Sequence, residues 1–315
     1  ADVNLRLYSM VSDAIVEEEV VRGVVLQSKR GREAIRASVV VDATGDGDVA
    51  ARAGAPFHLG REEDGQMQPV TVMFKVAGVD EARAIYPGSF ETLVETERGE
   101  LQALARQILP FPAGHVLLYP SPIPGVITCN MTNCTDIDGT NPDDLTRGEA
   151  VCRGQIDAIV AFLRAYVPGY ERCFLIGSAS LLGVRETRHF HGLYTLTGED
   201  ILAKRQFDDW VVRGARFNFD VHNIRGAGLD ETGMQEKFQR DNHYSIAYRC
   251  LLPERPEGLL LAGRCISGTH MAHSNYRVMP ICVAMGEAAG IAAALAVRAG
   301  IHPASVDVRA IQALL

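Results

Sequence analysis

The stretch that decides the fold is VVVDATGDGDVAARAG, residues 39–54. Three β-branched residues lead into Asp-Ala-Thr-Gly, and a short Ala-rich segment follows. This pattern is typical of a buried strand that ends at a tight turn before a helix. The spacing Gly45-x-Gly47-x-x-Ala50 also matches the fingerprint of dinucleotide-binding βαβ units, in which a helix N-terminus binds the pyrophosphate.

The residues that follow argue against that standard fingerprint. The predicted helix, residues 48–53, has less than two turns, and Pro56 and a polar loop come next without a second parallel strand. Glu62 and Glu63 lie in that loop rather than at a strand end, where a ribose ligand would be expected. Two interpretations stay open: a turn that needs glycine for its backbone alone, or a sheet edge where small side chains let a cofactor approach.

A second buried strand is predicted near the other end of the chain. Residues 259–263, LLLAG, are wholly apolar and end in glycine, as residues 39–45 do. The block between these two strands carries antiparallel-strand and helix signals. This order predicts an α/β nucleotide-binding sheet interrupted by an inserted α+β domain. The predicted domains are 1–58 and 251–315 for cofactor binding, and 59–250 for the substrate or cap domain.

Several other elements are predicted from local signals. Residues 3–7 alternate as a strand, and the runs 20–27 and 33–41 form a hairpin around a basic turn. Residues 81–108 are predicted as a helix that is interrupted at Pro87-Gly88. A long helix begins after Asn141, because this N-cap is followed by Pro142 and two aspartates.

The composition limits the class of partner and compartment. The 315 residues carry a formal net charge of -8, which argues against nucleic acid and anionic membranes as partners. Seven cysteines without C-x-x-C spacing predict reduced thiols and a cytoplasmic protein. Residues 280–297 are apolar but rich in Ala and Gly, with Glu287 at their middle. They predict a buried helix lying on a sheet rather than a membrane span.

Three segments, taken together, resemble one known family. IRASVVVDATGDGDVAARAGAP (35–56), GVRETRHFHGLYTLTGEDIL (183–202) and residues 258–296 are similar, in this order, to FAD-dependent oxidoreductases with a glutathione-reductase-like flavin domain. That family is related to the flavin subunit of heterodisulfide reductase. The resemblance implies FAD as the cofactor and a three-layer flavin domain with an inserted substrate domain.

The resemblance also implies where FAD would lie. The turn after the first strand is expected near the ADP half, the end of the last strand near the ribitol or a phosphate, and the apolar helix's N-terminus at the flavin pyrimidine edge. Arg264 replaces an acidic ribitol ligand, so it is expected to meet a phosphate or to form a surface ion pair. The expected cofactor-binding residues are Ala43, Thr44, Gly45, Asp46, Gly263, Arg264, Pro280, Ile281 and Cys282.

Four residues are expected to act on the substrate. Arg185 and His191 lie in a polar segment that forms either a pocket wall facing the flavin or an Arg–Glu network between domains. His270 and Arg277 are expected in a loop beside the flavin ring, as proton donor and anion holder. A metal site is not predicted, because no carboxylate or thiolate completes the histidines at 189, 191, 270 and 273.

Three functions are compatible with these residues. The first is an FAD-dependent oxidoreductase that moves a hydride or electron pair between flavin and a small organic substrate. In the family a phosphate-binding G-x-G-x-x-G turn precedes the Asp-Ala-Thr-Gly stretch, so the second is a chain whose flavin site is completed by another polypeptide. The third is an electron-relay subunit that acts with an iron–sulfur protein. A homo-oligomer is a further expectation.

Overall fold

The computed structural model describes residues 3–234 and 243–315. They form two compact units. Unit 1 contains residues 3–65, 188–217 and 243–315, and unit 2 contains residues 66–187 and 218–234. The segment 188–217 thus belongs with both ends of the chain, although it lies inside the predicted substrate domain. The cofactor and substrate assignments of these parts stay predictions.

The strands and helices are numbered here in chain order. The strands are β1 (Met10–Glu17), β2 (Val20–Ser28), β3 (Gly31–Arg36), β4 (Val40–Asp42), β5 (Phe57–Leu59), β6 (Phe74–Ala77), β7 (Glu95–Thr96), β8 (Gly99–Glu100), β9 (Leu118–Pro120), β10 (Ile127–Cys129), β11 (Phe174–Ser178), β12 (Arg188–Phe190), β13 (Trp210–Ala215), β14 (Tyr244–Ala247) and β15 (Leu259–Leu261). The α-helices are α1 (Asp48–Arg52), α2 (Leu101–Ile108), α3 (Pro142–Tyr166), α4 (Gly198–Leu202), α5 (His270–Tyr276), α6 (Met279–Ala299) and α7 (Val308–Gln312). Two 3₁₀ helices are Tyr248–Leu251 and Pro303–Ser305.

Unit 1 begins with an antiparallel sheet in the order β1-β2-β3. The predicted hairpin is confirmed, but its second run divides, because β3 ends at Arg36 and β4 pairs in a different sheet. The predicted strand at residues 3–7 is wrong. Val3, Leu5 and Leu7 are exposed and unpaired there, since no layer of unit 1 covers them, and the first strand begins at Met10.

The two predicted buried strands lie side by side. β15 pairs with β4 in parallel, with Leu259 opposite Val40 and Leu261 opposite Asp42. Leu259, Leu260 and Leu261 are each at most 1% exposed. Because the strands are parallel, the turns after Asp42 and after Leu261 emerge at the same edge, where open α/β sheets bind their ligands.

Helix α6 occupies the predicted position but is buried along only one face. That face consists of small or apolar side chains, namely Ile281, Met285, Ala288, Ala289, Ala292 and Ala296. On its other side Met279 is 81% and Val283 70% exposed. By length and composition, α6 is the one helix among the described residues that could cross a membrane, and a third of its most apolar window is buried.

Unit 2 is built on an antiparallel sheet in the order β11-β6-β10-β9. α2 and α3 pack on this sheet around Phe74, Ile127 and Phe162. The start of α3 is confirmed, because the Asn141 side chain accepts a hydrogen bond from the Asp143 amide. The prediction for 81–108 is wrong except at its end. Only α2 is helical there, since β7 and β8 form a hairpin first.

Candidate flavin site and histidine cluster

The turn after β4 is organised by the carboxylate of Asp42. This side chain is fully buried. Its Oδ1 accepts from the Thr44 amide at 3.0 Å and the Thr44 hydroxyl at 2.7 Å, and its Oδ2 accepts from the Ala50 amide at 2.8 Å. Thr44 Oγ1 in turn accepts from the Asp48 amide at 2.8 Å. One carboxylate therefore joins the strand end to the first turn of α1, a role that the sequence analysis did not foresee.

The two predicted cofactor turns contact each other through an ion pair. Arg264 Nη1 lies 3.0 Å from Asp46 Oδ1. The guanidinium covers Gly45 so closely that a Cβ added there would lie 2.5 Å from Arg264 Nη2. Of the two expectations for Arg264, the described contact is the ion pair. Glycine is required at residue 45 by its φ of +88°, whereas the Arg264 side chain could shift to admit a Cβ.

Packing also constrains Gly47. It is the N-cap of α1 and has a φ of +66°. A Cβ there would lie 2.0 Å from Cε2 of Phe190, which is buried on β12. The Gly-x-Gly spacing thus places an arginine over one glycine and a phenylalanine over the other. The short helix α1 confirms that this segment is not a standard crossover unit.

The edge beyond these turns is open. Ala43 and Thr44 are exposed, and a Cβ added to Gly263, whose φ is +88°, would meet no atom within 4 Å. The same holds for Gly286 and Gly290 on α6. Such small residues leave room for a large flat group against the backbone, so the residues present fit FAD.

The start of α6 also fits this assignment. Val278, its N-cap, provides no side-chain hydrogen bond, so the first amides keep the partial positive charge of a helix N-terminus. Pro280 is exposed, Cys282 is half-buried and Ile281 is buried. Burial raises the pKa of the Cys282 thiol, which keeps it neutral. An anionic group placed at this terminus would be stabilised by the helix dipole.

Unit 1 also contains a histidine cluster, defined here as His58, His189, His191 and His273. β5 pairs with β12 so that His58 lies opposite His189, and the two rings stack at 5.2 Å between centroids. His58 Nδ1 lies 3.4 Å from His191 Nε2. The His189 and His273 rings meet edge to face at 5.1 Å. The cluster extends from exposed His191 to buried His189 and His273.

Glu62 connects this cluster to His270. Its Oε1 accepts from the His270 amide at 2.9 Å and lies 3.9 Å from His58 Nε2. His58 and Glu62 are absent from the predicted site, because nothing local in the sequence pairs residues 57–59 with 188–190. Within the described part of the chain, no group of His, Cys, Asp and Glu has a metal-binding arrangement.

The prediction of a loop for residues 270–276 is wrong. His270 and His273 lie on α5, whose N-cap Thr269 accepts from the Ala272 amide. Arg277 is the half-buried C-cap of this helix. A helix fixes these side chains more firmly than a loop does, which suits groups that hold an anion or donate a proton.

Arg185 lies in unit 2, whereas His191, His270 and Arg277 lie in unit 1. The buried Arg185 guanidinium donates to the Pro69 carbonyl at 2.5 Å and lies 3.4 Å from Asn130 Oδ1. The adjacent Glu186 accepts from the Gln68 amide at 2.9 Å. These contacts form a network within unit 2. The role of Arg185 toward a substrate stays a prediction.

A family model described as FAD dependent oxidoreductase matches residues 1–315. The chain belongs to this family. The predicted resemblance is therefore confirmed, the cofactor of the family is FAD, and the family is one of flavin-dependent enzymes. The mixed α/β fold agrees with that assignment. No curated protein matches the chain.

Several solved structures have distant similarity to the chain. A geranylgeranyl bacteriochlorophyll reductase-like protein of Thermoplasma acidophilum is 12% identical, over 93% of this chain and 49% of its own, with a TM-score of 0.43. The flavin-dependent brominase Bmp2 is 15% identical over 97% and 53%, with a TM-score of 0.40. CabE, an aromatic hydroxylase from angucycline biosynthesis, is 14% identical over 59% and 30%, with a TM-score of 0.34. The chain spans about half the length of the first two structures.

Proposed function

We propose that the chain moves a hydride or electron pair between a small organic substrate and FAD. The observation that carries this proposal is the parallel pairing of β4 with β15, which brings the Ala43–Asp46 turn and Gly263-Arg264 to one open sheet edge. FAD supplies the electron acceptor or donor when it is bound. The chain supplies the surface that orients it.

The residues of unit 1 have distinct roles in this proposal. The exposed backbone at Ala43 and Thr44 contacts the ADP half, and Gly263 lets the cofactor approach the end of β15. The N-terminus of α6, at Pro280 to Cys282, faces the flavin, where the Ile281 amide stabilises negative charge that develops on reduction. His270 and His191 hold or move a proton, while Arg277 holds an anionic group of the substrate.

The visible spectrum of the purified chain tests this function. We expect a yellow protein. Mild denaturation should then release FAD, and the amount separated from the protein should be stoichiometric. A colourless protein that takes up no added FAD would overturn the proposal for this chain alone.

A second candidate is a chain whose flavin site is completed by another polypeptide. The exposed apolar face of α6 favours this candidate. The open edge of β4 favours it too, because among the described strands β4 pairs with β15 alone. The occupant proposed for this face is a βαβ segment that carries a phosphate-binding glycine turn. FAD uptake that occurs only after such a segment is added would support this candidate. Uptake by the chain alone would contradict it.

A cytoplasmic location belongs to the same proposal. All seven cysteines are free thiols, and six of them are buried. Burial raises the pKa of Cys250 to about 12, so this thiol stays protonated and unreactive. A reducing compartment preserves such thiols. Homo-oligomerisation stays a prediction.

A further inference from the structure

Unit 2 contains a buried polar cluster that the flavin proposal does not use. It consists of Gln68, Phe90, His115, Asn130 and His222. The Phe90 ring meets the rings of His115 and His222 edge to face, at 5.0 and 4.9 Å between centroids. The His222 amide donates to Gln68 Oε1 at 3.1 Å. Gln68, His115 and His222 are each at most 4% exposed.

The ring of His115 presents a buried acceptor. Its Nε2 lies 3.0 Å from the carbonyl oxygen of Asn130. A carbonyl can only accept, so Nε2 carries the proton and Nδ1 of the neutral ring has a lone pair. Nδ1 is buried and has no hydrogen-bond partner among residues 3–234 and 243–315. A buried acceptor in this state is costly unless a donor reaches it.

The neutral state of this ring is enforced by its surroundings. Burial lowers the pKa of His115 to about 3, and the electrostatic effects of His222 and Arg185 act in the same direction. The negative charge of Asp220 opposes them and raises the pKa of His115. His115 therefore acts as a hydrogen-bond acceptor at neutral pH and is too weak a base to take a proton.

Gln68 presents the complementary donor. Its Oε1 accepts from the His222 amide, which identifies Nε2 as the NH₂ group. This Nε2 is buried and without a hydrogen-bond partner in the described part of the chain. The cluster thus offers one acceptor and one donor, with no net charge on either group. Phe90 is only half-buried, so the cluster extends toward the surface of unit 2.

We propose that this cluster binds the hydroxyl group of a small neutral alcohol, which donates to His115 Nδ1 and accepts from Gln68 Nε2. A hydroxyl provides both complements. A ketone and a carboxylate provide acceptors only and would leave the imidazole lone pair without a donor. The site lies wholly in unit 2. It rests on the proposed function only where the alcohol is taken as the substrate to be oxidised.

Nitrogen NMR of the ¹⁵N-histidine-labelled chain tests the site without FAD. The probes are 2-propanol, acetone and acetate, and then cyclohexanol, cyclohexanone and cyclohexanecarboxylate. The His115→Phe variant identifies the His115 signals by their loss. We expect each alcohol to move the Nδ1 signal upfield, as hydrogen bonding to a lone pair does. The alcohols should bind about tenfold more tightly than the ketones, which corresponds to one hydrogen bond.

Paired variants separate the site from general solvent effects. Gln68→Met should weaken the alcohol response about tenfold, whereas Gln27→Met, at an exposed position on β2, should leave it unchanged. The proposal would be overturned if neither alcohol moved the Nδ1 signal, or if the ketones and carboxylates moved it as much as the alcohols do. It would also be overturned if the Nδ1 signal showed a hydrogen bond to water and did not move with any probe. Because none of these measurements involves FAD, their failure leaves the flavin proposal untouched.

Discussion

At the scale of single residues, Asp42 has the largest structural role in the proposed site. It is the one charged residue of the buried strand β4, and its two oxygens accept three hydrogen bonds. A buried carboxylate is stable only when hydrogen bonds replace its hydration. The Asp-Ala-Thr-Gly pattern therefore reflects a backbone requirement of the turn, while the exposed Ala43 beside it is available for the cofactor.

Replacement of Asp42 tests this role. In Asp42→Asn the new NH₂ group would face the Ala50 amide or the Thr44 donors, so one donor opposes another. We expect a loss of about 2 kcal/mol in the free energy of unfolding, the typical value for a hydrogen bond to a charged group. Urea unfolding measures it, with Asp208→Asn at an exposed position as the control. Equal stability of the two variants would show that Asp42 does not hold the turn.

The titration of His115 makes a prediction about pH. Its folded-state pKa is about 3, below its ordinary value of 6.5, so the unfolded chain binds the extra proton first. The stability that neutral His115 contributes is therefore present above pH 6.5 and is lost as pH falls toward 3. Between pH 6.5 and 3, the free energy of unfolding of the wild type should fall, relative to that of His115→Gln, by up to about 1.4 kcal/mol per pH unit. Parallel pH dependences, measured by urea unfolding, would contradict this.

At the scale of elements, the sequence predicts best the helices that begin with a recognisable capping residue. Asn141 caps α3, and Pro142 and two aspartates follow it in the first turn. These signals are local, so no tertiary contact is needed to detect them. The helix predicted over 81–108 lacked such a signal at its start, and only its last turns, after the cap residue Glu100, are helical.

Pairings between distant segments were beyond prediction. β5 and β12 are separated by more than a hundred residues, and each has three residues. Such short strands have no clear periodicity. Their pairing nevertheless brings His58 to His189 and builds the histidine cluster. By contrast, β4 and β15 were predictable as buried strands because each follows or forms an apolar run, residues 39–41 and 259–261, and their shared edge follows from parallel pairing.

The open face of α6 makes a prediction that uses two matched glycines. Gly290 on α6 and Gly154 on α3 are both helical, and a Cβ at either meets no atom within 4 Å. Gly290→Leu and Gly154→Leu should both fold, since leucine favours helix over glycine. Only Gly290→Leu should lower the FAD content, because the cofactor or the segment that completes its site lies on that face. The ratio of flavin absorbance to protein concentration measures the FAD content. Equal FAD content in the two variants would refute the assignment.

At the scale of the whole molecule, the fold divides its chemistry between two units. Unit 1 contains the sheet edge, α6 and the histidine cluster, and unit 2 contains Arg185 and the His115 cluster. The proposed FAD site lies in unit 1. The proposed hydroxyl site, with the two buried polar atoms of Gln68 and His115, lies in unit 2.

The most direct measurement is FAD binding by two matched variants at the sheet surface. Ala43→Glu places bulk and negative charge at the carboxyl edge of β4, whereas Ala34→Glu makes the same change at an exposed position on β3. Fluorescence titration with FAD should show that Ala34→Glu binds as the wild type does. Ala43→Glu should bind at least about tenfold more weakly, because like charge repels the cofactor phosphates. Equal affinity of both variants would contradict the placement of FAD at this edge.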